Sequence, residues 1–317
     1  MTSLGNAGSE HAGSGHDGGT LTGITIHPIK GCRRVELESV TVSAAGLDGD
    51  REWQVVTAPD EDGAIGEAVT QRQSAVLATV VPVPIDGGLT ISASDIGTID
   101  VKRPDANDVT VHALIGDEVA CADAGDEAAA FFSEVLGMPA RLAALTPESS
   151  RPVRLFRGRL ATFADAAPVL VANMASLDDL VARAIEPFGI ERFRANLIVT
   201  NDEPWSEDTW TEFSIGDADL VARIAWPRCA VPQIDQDTGE RHREPALVMR
   251  KHRWCYTAEG HSPGMRKVLE GNAIFGIACT IDPEGTVLNV GDPVAVTQTG
   301  PALLGPPFRL LPADAVT

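Results

Sequence analysis

Between Leu21 and Leu114 the chain is cut into short β-branched runs separated by turn signals, and this restricts its first half to a β fold. LTGITI (21–26), VELESVTVS (35–43), REWQVVT (51–57), VLATVVPV (76–83), LTISAS (89–94), GTIDVK (97–102) and DVTVHAL (108–114) are the runs. Several alternate polar with apolar residues, which buries one face of a strand. AGLDGD, PDEDG, IDGG and RPDAND supply the turns between them. Strands this short and turns this frequent fit a compact barrel or sandwich. One helix follows, with Asp126 as its expected N-cap, an apolar face of Phe131, Phe132, Val135 and Leu136, and Gly137 as its stop.

The second half mixes elements. Ser176-Leu-Asp-Asp179 has the pattern of a helix start, and Pro187 ends that helix near Glu186. ANLIVT (195–200) is expected as a buried strand, and 213–226 as a hairpin around Gly216-Asp217. PALVMRKHR (245–253) is expected as a short helix, and AIFGIACTI, TVLNV and PVAVT as closing strands. At roughly 100–200 residues per domain, 317 residues suggest two domains. The expected division is a disordered Gly/Ser/His-rich tail over 1–20, which includes His11 and His16, a first domain over 21–145, a second over 151–299, and a tail over 300–317. The fold class is mainly β (α+β).

Net charge is −20, and a surface this acidic repels nucleic acid and anionic membranes. No apolar run approaches the roughly 18–20 residues that span a bilayer, and residues 1–20 lack the apolar core of a signal peptide. Five cysteines, at 32, 121, 229, 255 and 279, form no C-x-x-C pair. That spacing indicates neither a disulfide framework nor a structural zinc site, and a reducing cytoplasm fits it best.

The chemistry concentrates in PRCAVPQIDQDTGE, Pro227 to Glu240. A lone cysteine is ordinarily a buried hydrophobe. Here Arg228 precedes Cys229 and a D-T-G turn follows, which puts the thiol in a polar loop. A single thiolate suits a metal whose other ligands come from a cofactor, as when a pterin dithiolene holds molybdenum. Such a cofactor carries phosphate and needs cationic donors and backbone N–H groups. Cations inside apolar segments therefore stand out: Lys30 in HPIKGC, Arg51 in GDREW, Arg72 in TQRQ, and Arg194 with Asn196 in RFRANLIVT. Taken singly, each of these cations has the more ordinary reading as a surface or structural residue. Asp235 suits a proton shuttle or an Asx-type turn before D-T-G. Ser176 also reads as a helix cap.

These motifs, in this order, resemble the MOSC-domain proteins with an N-terminal MOSC β-barrel, the group that contains the mitochondrial amidoxime-reducing component and its bacterial relatives. HPIKGC, GLDGDREW and TQRQ match the N-terminal signature; FADAAPVLVANMASLDDL, RFRANLIVT, EDTWTEFSIGD and PRCAVPQIDQDTG match the MOSC order, from about Leu21 to Val296. The resemblance implies an N-terminal β-barrel-like domain followed by a MOSC β-barrel with a few flanking helices. It implies the molybdenum cofactor, in its molybdopterin form, with Cys229 on the metal. Lys30, Gly31, Arg51, Arg72, Arg194 and Arg228 then hold the pterin and phosphate, and Asn173, Ser176 and Asn196 line the cofactor loops. The implied activity is reduction of small N-hydroxylated substrates. A non-catalytic cofactor carrier or sulfur-transfer module is the alternative, and a β-rich binding module with a structural Cys229 is a third.

Two positions depart from the family pattern. Gly31 stands where P-I-K-S-C has serine, and Asn173 where S-E-A-S-L begins with serine. No cysteine follows Cys279 and no glycine-rich dinucleotide fingerprint is present. Electrons are therefore expected from a separate ferredoxin-like, haem or flavin protein.

Overall fold

The computed structural model describes residues 16–58, 66–113, 117–153, 156, 158–259 and 261–300. The expected tails over 1–15 and 301–317, and the PDEDG turn, lie outside them. Seven strands close a barrel: His16–Ile26, Leu197–Thr200, Val169–Asn173, Ala273–Asp282, Ala218–Arg228, Trp210–Ile215 and Pro293–Thr299, which returns to His16–Ile26. All neighbours are antiparallel except Val169–Asn173 with Leu197–Thr200. Closure removes the exposed strand edges that invite aggregation. Leu21, Ile24, Val171, Leu197, Val199, Phe213, Ile215, Leu220 and Ile277 fill its interior.

A second body is built on a five-stranded sheet, in the order Val109–His112, Glu118–Asp123, Ala140–Ala144, Trp53–Thr57 and Ile29–Lys30. A meander of Val81–Ile85, Gly88–Ala93 and Gly97–Lys102 and the helix Asp126–Leu136 pack on it around Trp53, Leu77, Ile91 and Phe132.

The first strand belongs to the barrel of the second half. It ends at Ile26, and after His27-Pro28 the chain passes to Ile29–Lys30, which pairs in parallel with Trp53–Thr57 in the other body. Lys30 thus stands at the crossing between the bodies. Val35–Leu37 and Ser39–Ser43 return to the barrel side, the second of them pairing with Val287–Asn289. The sheets therefore do not divide at 145–151, because residues 16–43 cross that boundary.

Several local expectations need correction. The strand begins at His16, so 16–20 is sheet rather than tail. Its glycines read as low complexity, but a Cβ at Gly18 would meet Val294 Cγ1 at 2.7 Å, so close packing requires them. The run 76–83 is expected as a strand, but its first residues fall in the 3₁₀ turn Ala75–Thr79, which buries Leu77 and Ala78. The strands Glu118–Asp123 and Ala140–Ala144 and the helix Pro263–Leu269 were not expected at all. Asp126 lies inside its helix, which is capped by Gly125 and stopped by left-handed Gly137. The next helix is Met174–Val181, two residues earlier and shorter than expected, because Asn173 caps it by accepting from the Ala175 N–H at 3.1 Å. Among the described residues no helix is long and apolar enough to cross a membrane.

Candidate active site

A cavity of about 550 Å³ opens between the two bodies. Lys30, Gly31, Arg51, Arg72, Arg194, Asn196, Arg228 and Cys229 all line it, from segments spread over 200 residues of chain. Cys229 follows directly on the barrel strand Ala218–Arg228. A bulge sets in between Ala225 and Pro227, the ladder resumes only for Pro227 with Ile274 and Arg228 with Ala273, and the chain then turns into the short 3₁₀ segment Val231–Gln233. The thiol is left exposed, whereas the other four cysteines are buried. Burial pushes the Cys32 thiol up to about 12, which rules out a thiolate there at neutral pH.

The arginines are held by the backbone. Arg51 and Arg194 take left-handed φ values of 52° and 53°, and they are two of four non-glycine residues with positive φ among those described. Such strain, on the order of 1–3 kcal/mol each, clusters at functional sites. Arg51 pairs with buried Asp50 and donates to Asn196 Oδ1 (3.2 Å) and the Arg194 carbonyl (3.1 Å). Arg194 Nη1 donates to the Cys32 carbonyl at 2.9 Å and to Gln236 Oε1 at 2.8 Å. Arg228 donates Nη2 to the Phe193 carbonyl at 2.6 Å and lies over the Phe193 ring.

Two of these guanidinium groups keep unpaired donors among the described residues. Arg194 Nη2 and Arg228 Nε and Nη1 are buried with no hydrogen-bond partner among the described residues. Burial, then the like charge of Arg51, lowers Arg194 to about 9; burial also lowers Arg228 to about 10, against the opposing pull of Cys229 and Asp165. Buried, unpartnered donors on two neighbouring cations call for an anion. Lys30 Nζ lies 2.6 Å from Asp165 Oδ1. Burial lowers the lysine pKa despite that contact.

Gly31 has φ 88°, and a Cβ there would come within 3.3 Å of Leu77 Cδ1. Its carbonyl accepts from Gln71 Nε2 at 2.7 Å. The backbone conformation therefore favours glycine over the serine of the family pattern. Gly31→Ser is expected to lower stability by about 1–2 kcal/mol, read as a lower urea midpoint at unchanged slope. A stability equal to that of the unaltered protein would show that the strain is relieved.

Three expected site residues stand elsewhere. Asn173 is fully buried and, besides capping its helix, donates to Asn201 Oδ1 and Glu207 Oε2 at 3.0 and 3.2 Å. Ser176 donates to Glu207 Oε2 at 2.8 Å and accepts from the Trp205 N–H. Neither lines the cavity. Asp235 accepts from the backbone N–H of Asp237 and Thr238, both at 2.9 Å, and from Arg192 at 2.8 Å. It is the turn residue of the D-T-G loop, and it too lies outside the cavity lining.

Sequence reasoning missed Gln71, Arg151, Asp165 and Gln236. Gln71 and Gln236 exchange hydrogen bonds of 2.9 and 3.0 Å, and Gln236 also accepts from Arg194, so the D-T-G loop is tied across to the first body. Neutral amides carry no compositional signal. Arg151 shows one: it is a buried arginine beside a proline in the expected linker.

With this geometry in place, the relatives are informative. The MOSC N-terminal beta barrel domain model matches residues 18–139 and the MOSC domain model matches 159–295. The chain belongs to the MOSC family. Mitochondrial amidoxime reducing component 2 of Bos taurus is 31% identical over 87% of this chain and 82% of its own length. Mitochondrial amidoxime-reducing component 1 of Homo sapiens is likewise 31% identical, over 87% of this chain and 82% of its own. A molybdenum cofactor sulfurase of Danio rerio is 29% identical over 71% of this MOSC chain but only 29% of its own length. The two family matches meet at the cavity, with Lys30, Arg51 and Arg72 from the first and Arg194, Arg228 and Cys229 from the second.

Proposed function

We propose that this protein is a molybdenum-cofactor-dependent reductase of small N-hydroxylated substrates, with Cys229 as the one protein ligand to the metal. The observation that carries this reading is the exposed Cys229 thiol lining the same cavity as the buried, unpartnered N–H groups of Arg194 and Arg228. Among the described residues no cluster of three or more His, Cys, Asp or Glu side chains is placed to hold a metal. A metal at Cys229 would therefore draw its remaining ligands from a non-protein group. The amidoxime-reducing relatives support the substrate class.

The residues fit such a group. Lys30, Arg51, Arg72, Arg194 and Arg228 supply charge for a phosphate, and Asn196, fixed by the Thr25 carbonyl and the Leu170 N–H, braces Arg51. Gly31 allows close approach of backbone to ligand. When bound, the cofactor supplies two-electron redox chemistry at molybdenum. The chain's part is to hold it, to narrow the cavity around the substrate, and to set the charge near the cleaved N–O bond.

Electrons reach the site from a separate redox protein, and the compartment is a reducing one, in keeping with five free cysteines. Protein purified from a host that makes the cofactor is expected to hold one molybdenum per chain and to reduce benzamidoxime with a chemical reductant. NADH or NADPH alone is expected to support no turnover. The match to the sulfurase keeps a second reading open, cofactor carriage. It is favoured if bound molybdenum is found without turnover but with transfer to an apo-enzyme. No molybdenum at all would sink both readings.

A further inference from the structure

Six cations line the cavity and, among its lining residues, one carboxylate, that of Asp165. Anion binding does not explain the acid, because a carboxylate among the cations weakens their hold on a phosphate. Its setting is built rather than incidental. Buried Arg151 donates to the carbonyls of Thr162 (2.6 Å), Ala164 and Asp165 (3.0 Å), and is itself fixed by Asp117 at 3.2 Å. The Phe163 N–H donates to the Arg51 carbonyl at 2.9 Å. The segment carrying Asp165 is thus clamped to the cavity wall, and its neighbours Ala164, Ala166 and Ala167 leave room in front of the carboxylate.

Lys30 engages only Oδ1. Oδ2 takes no hydrogen bond among the described residues, and the side chain keeps 39% of its surface open. Burial alone would raise this carboxyl, but Lys30, then Arg51 and Arg72, outweigh that and hold it ionised. With Oδ1 held by Lys30, Oδ2 is an ionised oxygen facing the cavity, a strong acceptor for one N–H group.

We propose that Asp165 is the substrate anchor: its carboxylate accepts the N–H of an N-hydroxylated amidine or guanidine and so selects substrates that carry an N–H beside the N–OH. This rests on the reductase reading of the cavity. The competing role is neutralisation of Lys30 alone.

Calorimetry with benzamidine on the cofactor-loaded protein tests the anchor without turnover. Asp165→Asn is expected to weaken benzamidine about tenfold or more, with molybdenum content unchanged, and Asp165→Glu is expected to recover part of the loss. In the unaltered protein, tetramethylbenzamidine, which has no N–H, is expected to bind weaker than benzamidine by a similar factor; that comparison needs no variant. In turnover, Asp165→Asn is expected to raise KM for benzamidoxime more than it lowers kcat. Equal benzamidine affinity in Asp165→Asn and the unaltered protein, or equal affinity for the methylated and unmethylated ligands, overturns the proposal. Benzamidine binding that depends on Asp165, in a protein that does not reduce benzamidoxime, would keep the anchor and remove the reductase reading.

Discussion

Replacing Cys229 with alanine is expected to strip the protein of molybdenum and take N–O reduction to background. Changes to groups behind a metal's own ligands cost roughly 10–100-fold in affinity or activity. Removing the one protein ligand of the proposed site should exceed that. The fold should survive, because Cys229 is exposed and follows its strand instead of packing inside one. Cys32→Ala and Cys255→Ala are the controls. Both thiols are buried and both are pushed up by burial, so neither is a thiolate at neutral pH. The Cys32 contact to Arg194 runs through its carbonyl, which alanine retains. Metal content by elemental analysis and benzamidoxime turnover decide the matter. Full molybdenum-dependent activity in Cys229→Ala would remove the ligand assignment.

The largest effect on stability is expected outside the cavity lining, at Arg253. Its Nη2 donates to both oxygens of Asp208, at 3.0 and 2.8 Å, and its Nε to the Ile274 carbonyl at 3.3 Å. The guanidinium lies 3.8 Å over the Trp205 ring. Arginine and aspartate side chains are 7% and 8% exposed, so each charge depends on the other. Breaking such a buried pair from one side costs about 3–5 kcal/mol. Arg253→Met is expected to lower stability by that amount in denaturant unfolding. Converting Asp208 to leucine as well is expected to restore much of it, because no lone charge then stays buried.

The pH dependence follows from the neighbouring Glu207. Burial, then the charge of Asp208, raises its carboxyl to about 7 from an ordinary value near 4.5. The folded state therefore binds a proton that the unfolded state has released. The stability from this group is fully present below about pH 4.5 and is lost as pH rises through about 7. Arg253 opposes part of that rise, so the deficit of Arg253→Met should be larger at pH 8 than at pH 5. Glu207→Gln is expected to flatten the loss. An identical deficit at both pH values would separate Arg253 from Glu207.

Tertiary contacts place some of the expected site residues outside the cavity lining. Asn173 and Ser176 sit in a motif that the family resemblance ties to the cofactor, yet Glu207 of a later 3₁₀ segment faces both and takes their donors. Asp235 was open between proton work and turn chemistry, and two backbone N–H groups show it in the turn. Asp165 was hidden for the opposite reason. A single aspartate in an alanine-rich run carries no local signal, and its contact with Lys30 joins a residue of the second half of the chain to one of the first.

From the sequence alone came the β class, the short strands and their turns, and the motif order that marks Lys30, Arg51, Arg72, Arg194, Arg228 and Cys229. Those signals are local: alternation, turn residues, and cations in apolar runs are all read within a few residues. The tertiary structure decided which of the marked residues share one cavity, that the first strand closes the barrel of the second half, and that Asp165 stands among the cations. Barrel closure, burial and the pairing of charges depend on which distant segments meet, and no window along the chain contains both partners.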